Sequence, residues 1–139
     1  MSLRLERVIY VSEATQTDPT VAILADILAT SDRNNRRDGV TGALVVTATR
    51  FLQILEGARQ DLDRTLDRLR DDSRHHDIAI LCRGPIHHRR FANWTMAAAG
   101  ISISRAPEMD EIVELASSDP ETATLRVLAL VEAQVRAQP

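Results

Sequence analysis

"VTGALVVTATRFLQILEG", residues 40–57, decides the fold. Two apolar runs of strand length, roughly 40–47 and 50–56, are joined tightly around Ala48–Thr49. Runs this short, rich in β-branched residues and broken by a small polar step, read as two consecutive strands. One residue does not belong to that pattern: Gln53 puts an uncharged amide in a stretch that otherwise reads as buried. Desolvating an amide without partners costs about 1–3 kcal/mol. Gln53 is therefore expected to have something specific to bond.

Working outward, "RLERVIYVSEA" (4–14) carries the alternation of another strand. "DPT" supplies a helix start, with Asp18 as N-cap and Pro19 at the first helical position. Val21, Leu24, Ile27 and Leu28 follow as an apolar stripe, and that helix is expected to end near Asn34–Asn35. From about Gln60, Leu62, Leu66 and Leu69 form one face of a second helix, with Asp61/Arg64 and Asp67/Arg70 pairs on its wet side. "DIAILCRGPI" reads as a fourth strand interrupted at Gly84–Pro85, and "ANWTMAAAG" as a fifth. The order βαββαββ predicts an α+β, ferredoxin-like sheet with both helices on one face. The other face would be left bare. The tail supplies a cover: Met109, Ile112, Val113 and Ala116 form one amphipathic helix, and Leu125, Leu128, Val131 and Val135 a second. "SSDPE" between them is a turn and N-cap. Residues 1–100 are thus expected to form the sheet domain and 101–139 a C-terminal helical cap of the same globular unit.

A chain of 139 residues, 44% hydrophobic and 27% charged, has the size and balance of one soluble domain. A net charge of −3 provides no basic footprint, so neither nucleic acid nor an anionic membrane is an expected partner. No apolar stretch approaches the roughly 18 residues of a spanning helix, and "MSLRLERVIY" lacks the apolar core of a signal peptide. Cys82 is the one cysteine, which suits a reducing cytoplasm. All 17 basic residues are arginine. A phosphate loop of the Walker type, a Schiff base and a lysine general base are therefore excluded. The pairs His75–His76 and His87–His88 invite a zinc reading, but neighbours on a strand point to opposite faces, so no metal site is expected. No G-x-S-x-G elbow is present either.

Two features point toward a ligand. "DRNNRRDG" is most simply a solvated helix end closed by Gly39, yet Asn34 and Asn35 offer amide edges suited to a heteroaromatic ring. Tyr10 lies in the first strand and Gln53 in the third, which are central neighbours in a ferredoxin-like sheet. A phenol and an amide are then placed to meet. The bland alternative makes Tyr10 a core residue whose hydroxyl bonds any nearby carbonyl.

"RVIYVS", "SDRNNRRDGVTGALV", "RFLQILEG", "SRHHDI" and "PIHHRRFANWTM", in that order over about residues 4–100, closely resemble BLUF domains, bacterial blue-light sensors that use FAD. The resemblance implies a noncovalently bound flavin, FAD with FMN or riboflavin as alternatives. It makes Tyr10 the phenol that gives an electron and a proton to the excited ring, and Gln53 the amide between that phenol and the ring. Asn35, with Asn34 beside it, falls on the asparagine that bonds the ring edge, and Ile27 on the helix face that packs the ring. Arg74 and His75 resemble the pair near the ribityl and phosphate end. Trp94 and Met96 match the pair that exchanges position near Gln53. Some positions depart: Ser73–Arg74 follows Asp72 where many members have Asp-Pro, Asn93 replaces the common aspartate, and Asp32 stands where many carry an arginine near the flavin tail.

The expected function is therefore light sensing without enzymatic turnover. Its output would run to a protein partner in trans or through a change of self-association, a homo-oligomer being expected. A flavin-free BLUF-like interaction module is the alternative. Acylphosphatase-like hydrolysis, which the sheet topology would allow, lacks a phosphate-cradling loop.

Overall fold

The computed structural model describes residues 4–15, 21–47, 49–91, 97–101 and 106–136. The elements run β1 (Leu5–Ala14), α1 (Val21–Asp38), β2 (Thr41–Val46), β3 (Arg50–Ala58), α2 (Arg59–Arg70), β4 (His75–Ile86), β5 (Ala97–Ile101), α3 (Ala106–Ala116) and α4 (Pro120–Arg136). They build one five-stranded sheet in the order β4-β1-β3-β2-β5. The first four strands pair antiparallel in the ferredoxin-like arrangement, and β5 adds parallel to β2. The quoted stretch forms the β2–β3 hairpin, closed by the Thr47 N–H donating to the Arg50 carbonyl at 2.9 Å.

Period two sorts the strands' side chains onto two covered faces. On one face Val8, Tyr10 and Leu55 pack under Leu62 and Leu66 of α2, while Leu44, Val46 and Phe51 meet Ile27 of α1. On the other, Ile9, Val11, Ala43, Leu52 and Ile54 pack with Met109 and Ile112 of α3 and Val127 and Leu128 of α4. The expected two-helix face and helical cap are both present. All six residues of β2 are buried, as a strand covered on both faces requires. Each fully buried Leu or Ile contributes about 1.5–3 kcal/mol of transfer free energy.

Three local expectations need correction, and two others fall outside the described residues. Helix α1 runs one turn past Asn34–Asn35 to Asp38. Gly39 then takes a left-handed φ of 69°, and the Val40 N–H donates to the Asn35 carbonyl at 2.9 Å, the six-to-one bond of a Schellman cap. Strand β4 is continuous through Gly84–Pro85, with Pro85 opposite Glu6. It is an edge strand, where an imide without an N–H leaves no ladder bond unmade. The fifth strand is Ala97–Ile101, so the expected strand residues 92–96, Trp94 and Met96 among them, lie outside the described residues, as does the Asp18–Pro19 helix start. On α4 the buried stripe is Ala123, Val127, Leu128 and Leu130, whereas Leu125 is 65% exposed. The side chains of Val131 and Val135 are not among those described. Asp119 and Pro120 do start α4 as expected: the Thr122 N–H and hydroxyl donate to the Asp119 carboxylate at 3.2 and 2.7 Å.

Candidate functional site

Tyr10 and Gln53 are direct partners in the β1–β3 register and face the helix side of the sheet. Both are buried, and the Tyr10 hydroxyl donates to Gln53 Oε1. The bond that the strand order suggested is made. A break in the β1–β4 register falls here as well: Ile9 pairs with Cys82 but Tyr10 with Ile80, leaving one extra residue on β4. Such bulges re-aim neighbouring side chains beside functional sites. Burial pushes the Tyr10 phenol well above its ordinary pKa, and the negative charge of Asp72 adds to the shift. Tyr10 is therefore a neutral hydrogen-bond donor at any ordinary pH.

Between α1 and α2, above this pair, opens a cavity of about 310 Å³. Its walls carry Thr30, Asn34 and Asn35 from α1, Thr65 and Leu69 from α2, and Gln53 from the floor. A small extension of about 30 Å³ continues it over Tyr10, Ile27, Leu44, Phe51 and His75. The size matches a small-molecule site, at the low end of about 300–1,000 Å³. Apolar side chains at one end and three amides along it suit a flat heteroaromatic ring with a polar edge, because an amide presents a donor and an acceptor side by side. Asn35 is 2% exposed although it sits in a helix, where a solvated asparagine would have been expected.

His75 closes the end near Tyr10. Its Nε2 donates to the Leu69 carbonyl at 2.6 Å, and its Nδ1 lies 2.7 Å from Ser12 Oγ. A carbonyl only accepts, so Nε2 carries a proton, and the Ser12 hydroxyl is the partner of Nδ1. The ring sits 6.2 Å from both the Tyr10 and Phe51 rings. At the mouth, Arg74 bridges two elements: its Nη1 meets Asp26 of α1 at 2.7 Å, and its Nη2 meets Asp72, after α2, at 2.6 Å. The Arg74 guanidinium holds the Asp72 carboxyl below the usual carboxylate range, outweighing its partial burial.

The structure thus gathers Tyr10, Ile27, Asn34, Asn35, Gln53, Arg74 and His75 around one cleft. Trp94 and Met96 lie outside the described residues. Sequence reasoning missed Ser12 and Asp72. Ser12 had a signal, standing two residues past Tyr10 and so on its face of the strand; Asp72 had only its place two residues before Arg74. Among the described residues no three His, Cys, Asp or Glu side chains gather as metal ligands, and His76 pairs with Asp77 instead.

Comparison with known proteins bears on the family and the fold. A photoactivated adenylate cyclase subunit beta of Euglena longa is 32% identical over 111 residues, 78% of this chain but 13% of that protein. The alpha subunit from Euglena gracilis is 30% identical over 112 residues, 79% of this chain and 11% of its own. The chain therefore spans about an eighth of the length of these relatives. Among solved structures, BlrB, described as a BLUF protein in its dark state, superposes with a TM-score of 0.75 at 26% identity, covering 99% of this chain and 100% of BlrB. A bacterial light-regulated adenylyl cyclase superposes at 0.68 and 27% identity over 90% of this chain and 36% of its own. The family model for sensors of blue light using FAD matches residues 5–97, and with that match over two thirds of its length the chain belongs to the BLUF family.

Proposed function

We propose that this chain is a BLUF photoreceptor in which Tyr10 and Gln53 form the switch. The buried bond from the Tyr10 hydroxyl to Gln53 Oε1, on the floor of an amide-lined cleft, carries the reading. Asn34, Asn35 and Gln53 would hold the polar edge of the flavin ring, Ile27 its apolar face, and Arg74 and His75 the end toward the ribityl chain. Bound FAD supplies absorption of blue light and an excited ring that accepts an electron. Tyr10 gives up that electron, and its hydroxyl proton leaves along the existing hydrogen bond to Gln53. Gln53 would then rotate or tautomerise, so that its amide donor and acceptor change places and it could offer a stronger hydrogen bond to the ring's carbonyl edge. Recovery in the dark returns the proton and electron to Tyr10, so no net chemistry occurs and the chain is not an enzyme.

Residues 1–100 serve as the flavin-binding sensor and 101–139 as the cap that carries the output. The resemblance also gives Trp94 and Met96 a part in the switch; both lie outside the described residues. Output goes to a partner in trans or to a second copy of the chain, in the cytoplasm. No helix among the described residues is long and apolar enough to cross a membrane. An absorption spectrum of the purified protein, before and after blue light, tests the whole proposal. The expected result is a bound flavin whose band moves to the red and returns in darkness. A colourless protein that refuses added FAD and FMN overturns it.

A further inference from the structure

On the cap side of β3 stands a carboxylate that the switch chemistry does not use. Glu56 is fully buried, three residues past Gln53 and hence on the opposite face of the strand. Its Oε2 accepts from Arg7 Nε and Nη2 at 3.0 and 2.8 Å. Its Oε1 accepts the backbone N–H groups of Arg90 and Phe91, each at 2.9 Å. Arg89 completes the grip, donating from Nη1 to the Glu56 carbonyl at 3.1 Å and to Thr41 Oγ1 at 3.0 Å. The Arg90 side chain turns outward and pairs with Glu132 of α4. One end of the strand that carries Gln53 is thereby bonded, through Arg90, to a cap helix.

Apolar packing alone would have kept Phe91 in the core, where it is 2% exposed. A carboxylate with four donors does something more exacting. Charge-assisted bonds weaken steeply with small errors of distance and angle, whereas the apolar term is non-directional. The network therefore converts a sub-ångström displacement of β3 into a change in where residues 89–91, and the helix tied to them, can sit. Between Gln53 and Glu56 lie about 10 Å of extended strand, short and stiff enough to pass such a displacement on.

We propose that Glu56 is a positioning residue that transmits the change at Gln53 to α4 through the Arg90 backbone and the Arg90–Glu132 ion pair. The inference rests on the photoreceptor reading above and adds to it a route that leaves through β3.

The test uses the full flavin-loaded chain in darkness and under blue light, with two readouts. One is the red shift with its dark recovery, and the other is amide hydrogen exchange across residues 120–136. The unmodified protein should show both the shift and a light-dependent change of protection in α4. Glu132→Gln leaves the core untouched. It should keep the red shift while shrinking the α4 light-minus-dark difference by about threefold or more, as loss of a charge-assisted bond predicts. Glu56→Gln keeps the side chain's volume and removes its charge, and should shrink the same α4 light-minus-dark difference by a similar factor. Exchanging the partners, Arg90→Glu with Glu132→Arg, should restore the α4 response. A purely structural role would move the melting temperature of these variants and leave their light-minus-dark differences alone. If Glu56→Gln does not fold, Glu132→Gln and the exchanged pair decide the matter. A normal α4 response in Glu132→Gln overturns the inference, as does an unmodified protein that shifts its spectrum with α4 unchanged. An unmodified, flavin-loaded protein with no red shift at all removes the photoreceptor reading first, and this inference with it.

Discussion

Replacing Tyr10 by phenylalanine separates the two roles its side chain can have. The ring is 2% exposed and packs with Val8, Leu55, Leu62 and Leu66, and phenylalanine keeps nearly all of that apolar contact. The variant removes one buried neutral hydrogen bond, a net loss of about 0.5–1.5 kcal/mol. Gln53 Oε1 stays buried and loses this donor, which raises the cost toward about 1–2 kcal/mol. For a domain of this size the melting temperature should fall by about 3–8 °C, with the fold and flavin binding retained. The photochemistry should fail altogether, because phenylalanine has no proton to release along the Gln53 bond. Raising the pH of the unmodified protein cannot mimic the variant. Burial and the Asp72 charge hold the phenol protonated, so the amplitude of the red shift should stay flat from about pH 6 to 9. Difference spectra under blue light, beside a thermal melt, read both effects. A wild-type red shift in Tyr10→Phe would refute the mechanism and leave Tyr10 as a core residue.

Gly42→Ala should be among the most damaging single-methyl changes, since its Cβ would stand 1.9 Å from the Ile54 backbone oxygen across the β2–β3 ladder. A loss of about 4 kcal/mol or more in urea unfolding is expected, and a soluble variant within about 1 kcal/mol of the parent would show the ladder to be looser than described. Asp26→Asn cuts the α1 end of the Arg74 bridge at the cleft mouth, where the Asp26 side chain is 72% exposed. Flavin should dissociate several-fold faster, read by dilution and fluorescence, with melting of the flavin-free protein unchanged; an unaltered off-rate would mean that the bridge does not guard the mouth. Asp72 gives the acid limb. Its carboxyl is held low chiefly by the hydrogen bonds from Arg74, so the unfolded chain protonates first. Its contribution is complete above about pH 4 and disappears as pH falls through the lower folded-state value. Asp72→Asn should flatten the urea midpoint against pH in that window, and an identical acid limb would remove the pair from the stability account.

The strands and their order were legible because buried strands of this length leave a strong apolar pattern, and "VTGALVVTATRFLQILEG" carried two of them. What failed locally did so where tertiary structure overrode local preference. Asn34 and Asn35 look like a helix end because asparagine favours turns, yet Asn35 is buried in the cleft wall and the stop comes at Gly39. Gly84–Pro85 looks like a strand break, and an edge position makes it harmless. On α4 the pattern favoured Leu125 because leucine outranks alanine in hydrophobicity, whereas the residue the core buries there is Ala123. Of the cleft, the strand order placed Tyr10 beside Gln53 without deciding between a switch and a core phenol, and the Asn34–Asn35 amides stood out as edges suited to a ring. The roles of these and the remaining site residues were reached by resemblance. Ser12 and Glu56 depend on partners 63 and 34 residues away, a distance at which one sequence carries no periodic signal.

The position of β3 explains why a switch there calls for a stiff reader. It is the middle strand, hydrogen-bonded to β1 on one side and β2 on the other, so it cannot slide without breaking two ladders at once. Any displacement it makes is small. Both of its faces are also covered, Gln53 and Leu55 toward α1 and α2, Leu52 and Ile54 toward α3 and α4. Close-packed apolar contacts do transmit strain, but Leu52 and Ile54 share it among many neighbours at once, with no preferred direction. A carboxylate held by four directional bonds has far less slack. Were the change proposed at Gln53 to displace β3, Glu56 would pass that displacement to Arg7 and to the backbone of Arg90 and Phe91 through four directional bonds.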